Sequence, residues 1–320
     1  MLKSPNTPVS LADACTYFAD QDNALRFLAE LRWPEGVKCP HCQADDPGFL
    51  KSRRIWKCRK CRKQFSIKVG TIFEDSPLGL DKWLPALWML ANAKNGVSSY
   101  EVARALHVTQ KTAWFMLGRI RAAMAYAGGA RFDGEVEVDE TFLGGAYRNM
   151  HPGKRARLGS GDAGQNKVQV TGILQRGKGK RGPSQVRLAL SNQFRSSAEL
   201  FGFIHRHVKR GTHVYTDQAK AYGVLANGYV REVVNHAVEY VRGRVHTNGI
   251  ECFWGLLKRT IRGTYISIDP FHVHRYLGEQ AFRFNNRRAG DGERFVAVVD
   301  SLLGKRLTYR ELTGADLATT

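Results

Sequence analysis

Cys39-Pro-His-Cys42 and Cys58-Arg-Lys-Cys61 stand fifteen residues apart, and this spacing restricts the fold of the chain more tightly than its composition does. Each Cys-x-x-Cys pair puts two thiolates on one tight turn. A connecting segment of that length folds as a short hairpin that brings the turns together as a Cys₄ zinc site. Paired disulfides are the alternative, and the first thirty residues, which lack the apolar core of a secretory signal, argue against them. The spacing therefore predicts one structural Zn²⁺ held by Cys39, Cys42, Cys58 and Cys61. His41 reads as a spectator, because four thiolates complete the tetrahedron. Cys15 and Cys252 sit in apolar surroundings and read as small core residues.

The segment between and beyond the knuckles is basic. Residues 51–68 carry Lys51, Arg53, Arg54, Lys57, Arg59, Lys60, Arg62, Lys63 and Lys68 with no acid, and Ile55, Trp56 and Phe65 interleave with them. That mixture suits phosphate contact on one side and apolar packing on the other. The bias extends to the whole chain: 49 Lys and Arg against 29 Asp and Glu give a net charge of +20 over 320 residues, which makes a polyphosphate the expected partner. An anionic membrane is the rival. The uncharged run from Trp83 to Ala93 is eleven residues, short of the roughly 18–20 that a span needs. With 43% hydrophobic residues the chain reads as folded, and the short apolar run and the missing signal make it read as soluble and cytoplasmic.

Helical patterns flank the ribbon. Ser10-Leu-Ala-Asp13 opens a short helix, and a second over 23–33 ends at Pro34 and Gly36. An apolar helix follows over 82–93 despite Pro85. Ser98-Ser-Tyr-Glu101 is a capping box for the next helix, which carries Val102, Ala103 and Leu106. After a brief turn at His107-Val-Thr109, a longer helix runs from 110 to about 126 with Ala113, Trp114, Leu117 and Ile120 inward. Gln110, Lys111, Arg119 and Arg121 then point outward. This is a helix-turn-helix pattern. A plain helical hairpin has the same spacing, and the basic charge favours DNA reading.

After Gly128-Gly129 the periodicity changes to that of strands. Glu135-Val-Glu-Val-Asp139 alternates, Gly144-Gly145 marks a hairpin turn, and 167–174 and 185–190 are further apolar alternations. Between them Arg176-Gly-Lys-Gly-Lys-Arg-Gly182 reads as a basic tip, too glycine-rich for a core. A helix over 198–208, strands at 213–216 and 229–234, and helices over 250–258 and 271–285 complete a mixed sheet with helices packed on it. The order fits an RNase H-like domain. The expected class is α+β, with an N-terminal zinc ribbon and helix-turn-helix before an RNase H-like mixed α/β catalytic domain. The boundaries are 1–36 (helical segment), 37–75 (ribbon), 76–128 (helix-turn-helix region), 129–290 (catalytic domain) and 291–320 (C-terminal tail).

Three acids fall at telling places. Asp139 lies in the first strand on the face of Glu135 and Glu137, Asp217 ends the strand His213-Val-Tyr-Thr-Asp217, and Glu251 opens a helix with Asn248, Gly255 and Lys258 on its side. Phosphodiester chemistry wants two oxygen-ligated cations about 3.5–4 Å apart, and Mg²⁺ takes carboxylates and water. Each acid also has a plainer reading. Glu140 competes with Asp139 on spacing, Asp217 can cap a helix starting at Gln218, and Asn248 with Glu251 can form a capping box.

The longer motifs resemble one family. Leu31-Arg-Trp-Pro-Glu-Gly36 before the knuckles, Lys63-Gln-Phe-Ser66 and Gly70-Thr-Ile-Phe73 look like the front of prokaryotic insertion-sequence DDE transposases with an N-terminal zinc ribbon and an ISXO-like catalytic domain. Val138-Asp-Glu-Thr-Phe-Leu-Gly-Gly145, Tyr215-Thr-Asp217, His246-Thr-Asn-Gly-Ile-Glu251, Phe253-Trp-Gly-Leu-Leu-Lys258, His274-Arg-Tyr-Leu277 and Phe284-Asn-Asn-Arg287 continue the likeness across roughly residues 10 to 290. The resemblance implies a recombinase that binds the terminal repeats of its element on double-stranded DNA, as a homodimer or higher multimer. Two Mg²⁺ or Mn²⁺ would be held by Asp139, Asp217 and Glu251, first for hydrolysis at the end and then for attack of the freed 3′-hydroxyl on target DNA. Members differ at the third metal position, so Asn248 stands as the alternative to Glu251, the carboxylate being the better Mg²⁺ ligand. His246 would be a neighbouring helper at the phosphate. The expected DNA contacts are Arg53, Arg54, Lys57, Arg59, Lys60, Arg62 and Lys63 on the ribbon and Gln110, Lys111 and Arg119 on the second helix, with Lys154, Arg155, Lys178, Lys180, Lys258 and Arg259 beyond it. A DNA-binding regulator derived from a transposase and a nuclease without strand transfer are the rival functions.

Overall fold

The computed structural model describes residues 7–125, 128–144, 152–153, 167–177, 179, 182–191, 196–217, 220–233 and 243–315. The chain divides into two compact units, residues 1–125 with 289–320 and residues 126–288. No helix among the described residues is long and apolar enough to cross a membrane.

In the first unit, α1 (Leu11–Ala19) starts where the Ser10 side chain accepts from Asp13 N–H, and α2 (Gln21–Arg32) starts at an Asp20 cap. The ribbon is an antiparallel sheet of β1 (Gly48–Leu50), β2 (Ile55–Lys57) and β3 (Gln64–Phe65). Its interleaved aromatics pack as their spacing implies. Trp56 stacks on Phe65 at 5.9 Å, and Trp33 meets both edge-on. Helix α3 (Leu80–Asn92) carries Pro85 inside. At the sixth helical position its missing N–H forfeits the bond to the Asp81 carbonyl, while its ring is buried with the rest of the apolar face.

Helix α4 (Ser99–Leu106) has the full capping box between Ser98 and Glu101, and α5 (Gln110–Met124) is capped by Thr109. From Met116 to Ile120 every residue of α5 is buried, so this stretch is an interior helix rather than one with a free face. Residues 291–320 are expected as a tail; of these, the described residues to 315 contain α9 (Asp291–Asp300) and α10 (Tyr309–Thr313), and α9 buries Phe295 completely. Phe295 packs against Phe18, Phe27 and Trp88 at 5.1–5.8 Å, and Leu312 of α10 rests on Gly118 of α5.

In the second unit a five-stranded sheet runs in the order β6-β5-β4-β7-β8. These strands are β4 (Glu135–Leu143), β5 (Val168–Gln175), β6 (Gln185–Leu190), β7 (His213–Thr216) and β8 (Val230–Val233). The β4–β5 and β5–β6 pairs are antiparallel, while β7 is parallel to β4 and β8 to β7. This is the RNase H-like arrangement. Val136 and Val138 of β4 join Leu200, Phe203 and Ile204 of α6 (Ser197–His207) in one core. On the other face Val170, Leu174 and Val186 pack with Ile250, Phe253 and Trp254 of α7 (Asn248–Thr260) and Leu277 of α8 (Val273–Asn285). The alternation of β4 therefore aims Glu135, Glu137 and Asp139 at the face covered by α7.

Candidate active site and zinc centre

The four knuckle cysteines converge, with their Sγ atoms all within 4.8 Å of one another. Cys39 and Cys61 Sγ are 3.7 Å apart, and Cys42 and Cys58 Sγ 3.6 Å. A tetrahedral metal with bonds of about 2.3 Å to sulfur requires S···S edges of about 3.8 Å, so the cluster fits a structural Zn²⁺. Cys61 N–H donates to Cys58 Sγ at 3.4 Å, and this bond, ahead of the other contacts, lowers the Cys58 thiol to about 6. At Cys61 a backbone bond from Lys63 is outweighed by burial and the neighbouring sulfurs, which raise the thiol to about 11, so that a bound dication is what would hold all four as thiolates. His41 is exposed and outside the cluster. Cys15 and Cys252 are exposed rather than buried as core residues. The helical faces on which they lie turn away from the apolar neighbours that surround them in sequence.

Of the expected DNA contacts, Arg53, Arg54, Lys57, Arg59, Lys60, Arg62 and Lys63 are all exposed on the ribbon. Arg54 also pairs with Asp22, and Arg59 with Asp46. Lys68 turns inward and donates to the carbonyls of Ser76 and Leu78. Lys111 is exposed in the first turn of α5, and Gln110 spends its amide on Ser99 Oγ. Arg119 corrects the sequence expectation. It is 4% exposed, and its guanidinium donates to the carbonyls of Ile72, Glu74 and Leu307 at 2.7–2.8 Å. Arg121 is buried as well. Outward spacing on a helix is not exposure when other segments cover that face. Lys258 is half-buried and Arg259 exposed at the end of α7, while Lys154, Arg155, Lys178 and Lys180 lie outside the described residues.

The acids come from three elements. Asp139 is mid-strand in β4, Asp217 directly follows β7, and Glu251 lies in the first turn of α7. Burial raises the Asp139 carboxyl above its ordinary range. The charges of Asp217 and Glu251 push the same way, whereas hydrogen bonds from Glu140 N–H and the Trp254 indole oppose the rise. The charges of Asp217 and Glu251 thus reach Asp139, but among the described residues the four thiols alone converge closely enough for one ion. Glu140 points to the opposite face of β4, where Gln169 donates to it. Thr247 precedes α7 without capping it, and its hydroxyl donates to Glu251 Oε1 at 2.7 Å. Asn248 is the first helical residue, so the Asn248–Glu251 capping box does not form.

Glu137, Arg176 and Trp254 were not singled out by sequence. Glu137 is fully buried. Its Oε1 accepts from Arg176 Nε at 2.6 Å and its Oε2 from Ile250 N–H at 2.8 Å. Arg176, which the sequence places in a basic tip, lies over the Tyr215 ring. It also donates to the carbonyls of Arg244 and His246 and to His246 Nδ1 at 2.9 Å. That bond occupies Nδ1 as acceptor and leaves the proton of the neutral imidazole on Nε2. The available signal was the alternation that puts Glu137 beside Asp139. Arg176 carried none, since it follows β5 at the head of a run rich in glycine and lysine.

Comparison with known proteins agrees with both halves of the molecule. Residues 19–64 match a transposase zinc-ribbon domain, and residues 131–285 match an ISXO2-like transposase domain. An uncharacterized protein in transposable element ISH50 of Halobacterium salinarum is 27% identical over 254 residues, covering 76% of this chain and 83% of that protein. An uncharacterized transposase-like protein of Haemophilus influenzae is 34% identical over 91 residues, 28% of this chain and 73% of that one. Both matched domains occur here in the order that the knuckles and the acidic strand motif set out, and the chain belongs to the insertion-sequence transposases with a zinc ribbon and an ISXO2-like transposase domain.

Proposed function

We propose that the chain is the working transposase of an insertion sequence, binding the element's terminal inverted repeats and carrying out divalent-metal-dependent strand cleavage and strand transfer. What supports this is that three separate elements of an RNase H-like domain, β4, the end of β7 and the first turn of α7, supply Asp139, Asp217 and Glu251, and that the charges of the last two bear on Asp139. The donors are hard oxygens, and His246 Nδ1 is already taken by Arg176, so the set suits Mg²⁺ or Mn²⁺ rather than a softer ion. Such cations, when bound, activate the attacking oxygen and stabilise the leaving one. Water attacks the phosphorus at the element end and the P–O3′ bond breaks. The freed 3′-hydroxyl then attacks a target phosphodiester in the same way. Glu251 is the favoured third ligand, because a carboxylate holds Mg²⁺ better than the Asn248 amide and α7, which carries it, packs on β4 beside Asp139. His246 stands two residues before α7 as a neighbouring group for the phosphate. The exposed cations of the ribbon and the first turn of α5 serve the DNA, in a homodimer or larger assembly at the nucleoid.

The test is incubation of the full chain with labelled element ends and Mg²⁺, which should give nicked and joined products. Asp139→Asn and Asp217→Asn should abolish both products while leaving end binding intact. Glu251→Gln should be nearly as damaging, and Asn248→Ala mild. End binding without products from the unaltered chain would favour the regulator reading, and full activity in both aspartate variants would remove the metal site.

A further inference from the structure

Strand β4 and helix α7 are joined through two carboxylates. Ile250 N–H donates to Glu137 Oε2 at 2.8 Å, and Trp254 Nε1–H donates to Asp139 Oδ2 at 2.9 Å. The donors are four residues apart on the helix, about 6 Å along its axis. The acceptors are two residues apart on the strand, about 7 Å. The two repeats match closely enough for both bonds to form in one register, and a slip of the helix by one residue would break both.

Room for the indole is provided across the sheet. Gly172 of β5 pairs directly with Asp139, and a Cβ there would stand 2.6 Å from Trp254 Cη2 and 2.7 Å from Cζ2. The backbone at Gly172 lies outside the left-handed region, so the glycine is needed for space and not for a turn. Gly249 is constrained in the same manner, because its Cβ would meet Glu137 Oε2 at 2.9 Å.

We propose that Trp254 is a positioning residue for Asp139, and that its indole N–H and the Glu137–Ile250 bond key helix α7 to strand β4, so that the helix presenting Glu251 also sets the orientation of the Asp139 carboxylate. The inference rests on the reading of these acids as metal-holding groups. Rotation of an aspartate carboxylate about its last torsion is soft. A fixed donor on one oxygen selects the orientation, and such outer partners typically affect metal affinity or activity by about 10–100-fold.

Two substitutions in the full chain separate hydrogen bonding from packing. Trp254→His keeps a ring N–H at the same position along the side chain but loses the fused benzene ring. Trp254→Phe keeps a six-membered ring and loses the donor. Binding of Mn²⁺, followed by electron paramagnetic resonance at about pH 8 where imidazole is neutral, is read beside end cleavage across a Mg²⁺ series. Melting temperature and end binding serve as controls. Trp254→Phe should weaken Mn²⁺ binding or cleavage by about 10–100-fold, and Trp254→His should lose less despite the poorer packing. Wild-type behaviour of Trp254→Phe, or a His variant worse than Phe in both readouts, overturns the proposal. If neither folds, benzothienylalanine at position 254, which replaces N–H by sulfur at the same shape, decides it on the same readouts. Asp139→Asn dead beside an unaffected Trp254→Phe defeats this inference alone. Mn²⁺ binding and cleavage intact in Asp139→Asn defeat the acid site itself.

Discussion

Arg119 and His207 carry consequences that their side-chain types alone do not suggest. Arg119 satisfies three backbone carbonyls from two distant stretches of the first unit. Removing it leaves acceptors buried without donors, which is costlier than losing a solvated cation. Arg119→Met is expected to lower unfolding free energy in urea by about 2–4 kcal/mol and to leave the salt dependence of DNA binding unchanged. A phosphate contact would do the reverse, since each one contributes about −0.9 to the salt slope. His207 closes α6, and Arg187 donates to its Nδ1 and its carbonyl at 3.2 Å. Burial first, then the charges of Arg187 and Arg206, lower its pKa to about 4 from 6.5. The unfolded chain therefore binds the proton more readily over that interval. The associated stability is complete above pH 6.5 and is lost as pH falls toward 4. The melting temperature of the native chain should fall more steeply between those values than that of His207→Gln.

At the scale of elements, local signals sufficed where an element closes its own bonds. The capping box appears where Ser98 and Glu101 announce it, and the last residue of the brief turn, Thr109, caps α5. Helix α7 behaves otherwise, because its N-terminal donor at Ile250 is met by Glu137, 113 positions earlier in the chain. A buried carboxylate in the neighbouring strand does what a capping side chain does elsewhere, at the helix end where negative charge is favoured. No local pattern could reveal it. The ribbon, by contrast, depends on its metal, because β1, β2 and β3 are two or three residues long and sheets so small need additional support. Cys58→Ser should reduce zinc content toward zero and open residues 37–65 to proteolysis, measured by elemental analysis and limited digestion. Unchanged zinc would refute the site.

Across the whole molecule, the first unit is built from both ends of the chain, with Phe295 of α9 fully buried among Phe18, Phe27 and Trp88. Phe295→Ala should destabilise that unit by about 3–5 kcal/mol, seen in urea through tryptophan fluorescence. A change below about 1 kcal/mol would mean that α9 contributes no core. The sequence by itself determined the zinc knuckles, the capped helices, the strand alternation that puts Glu137 and Asp139 on one face, and the basic charge. Each of these depends on neighbours within a few residues or on a simple sum. Only the tertiary structure decided that Arg176 pairs with Glu137, that Trp254 holds Asp139 and that Arg119 is interior, because these partners stand 39, 115 and 188 positions apart in the chain. Periodicity reports which face a side chain occupies, and what covers that face is set by segments it does not contain.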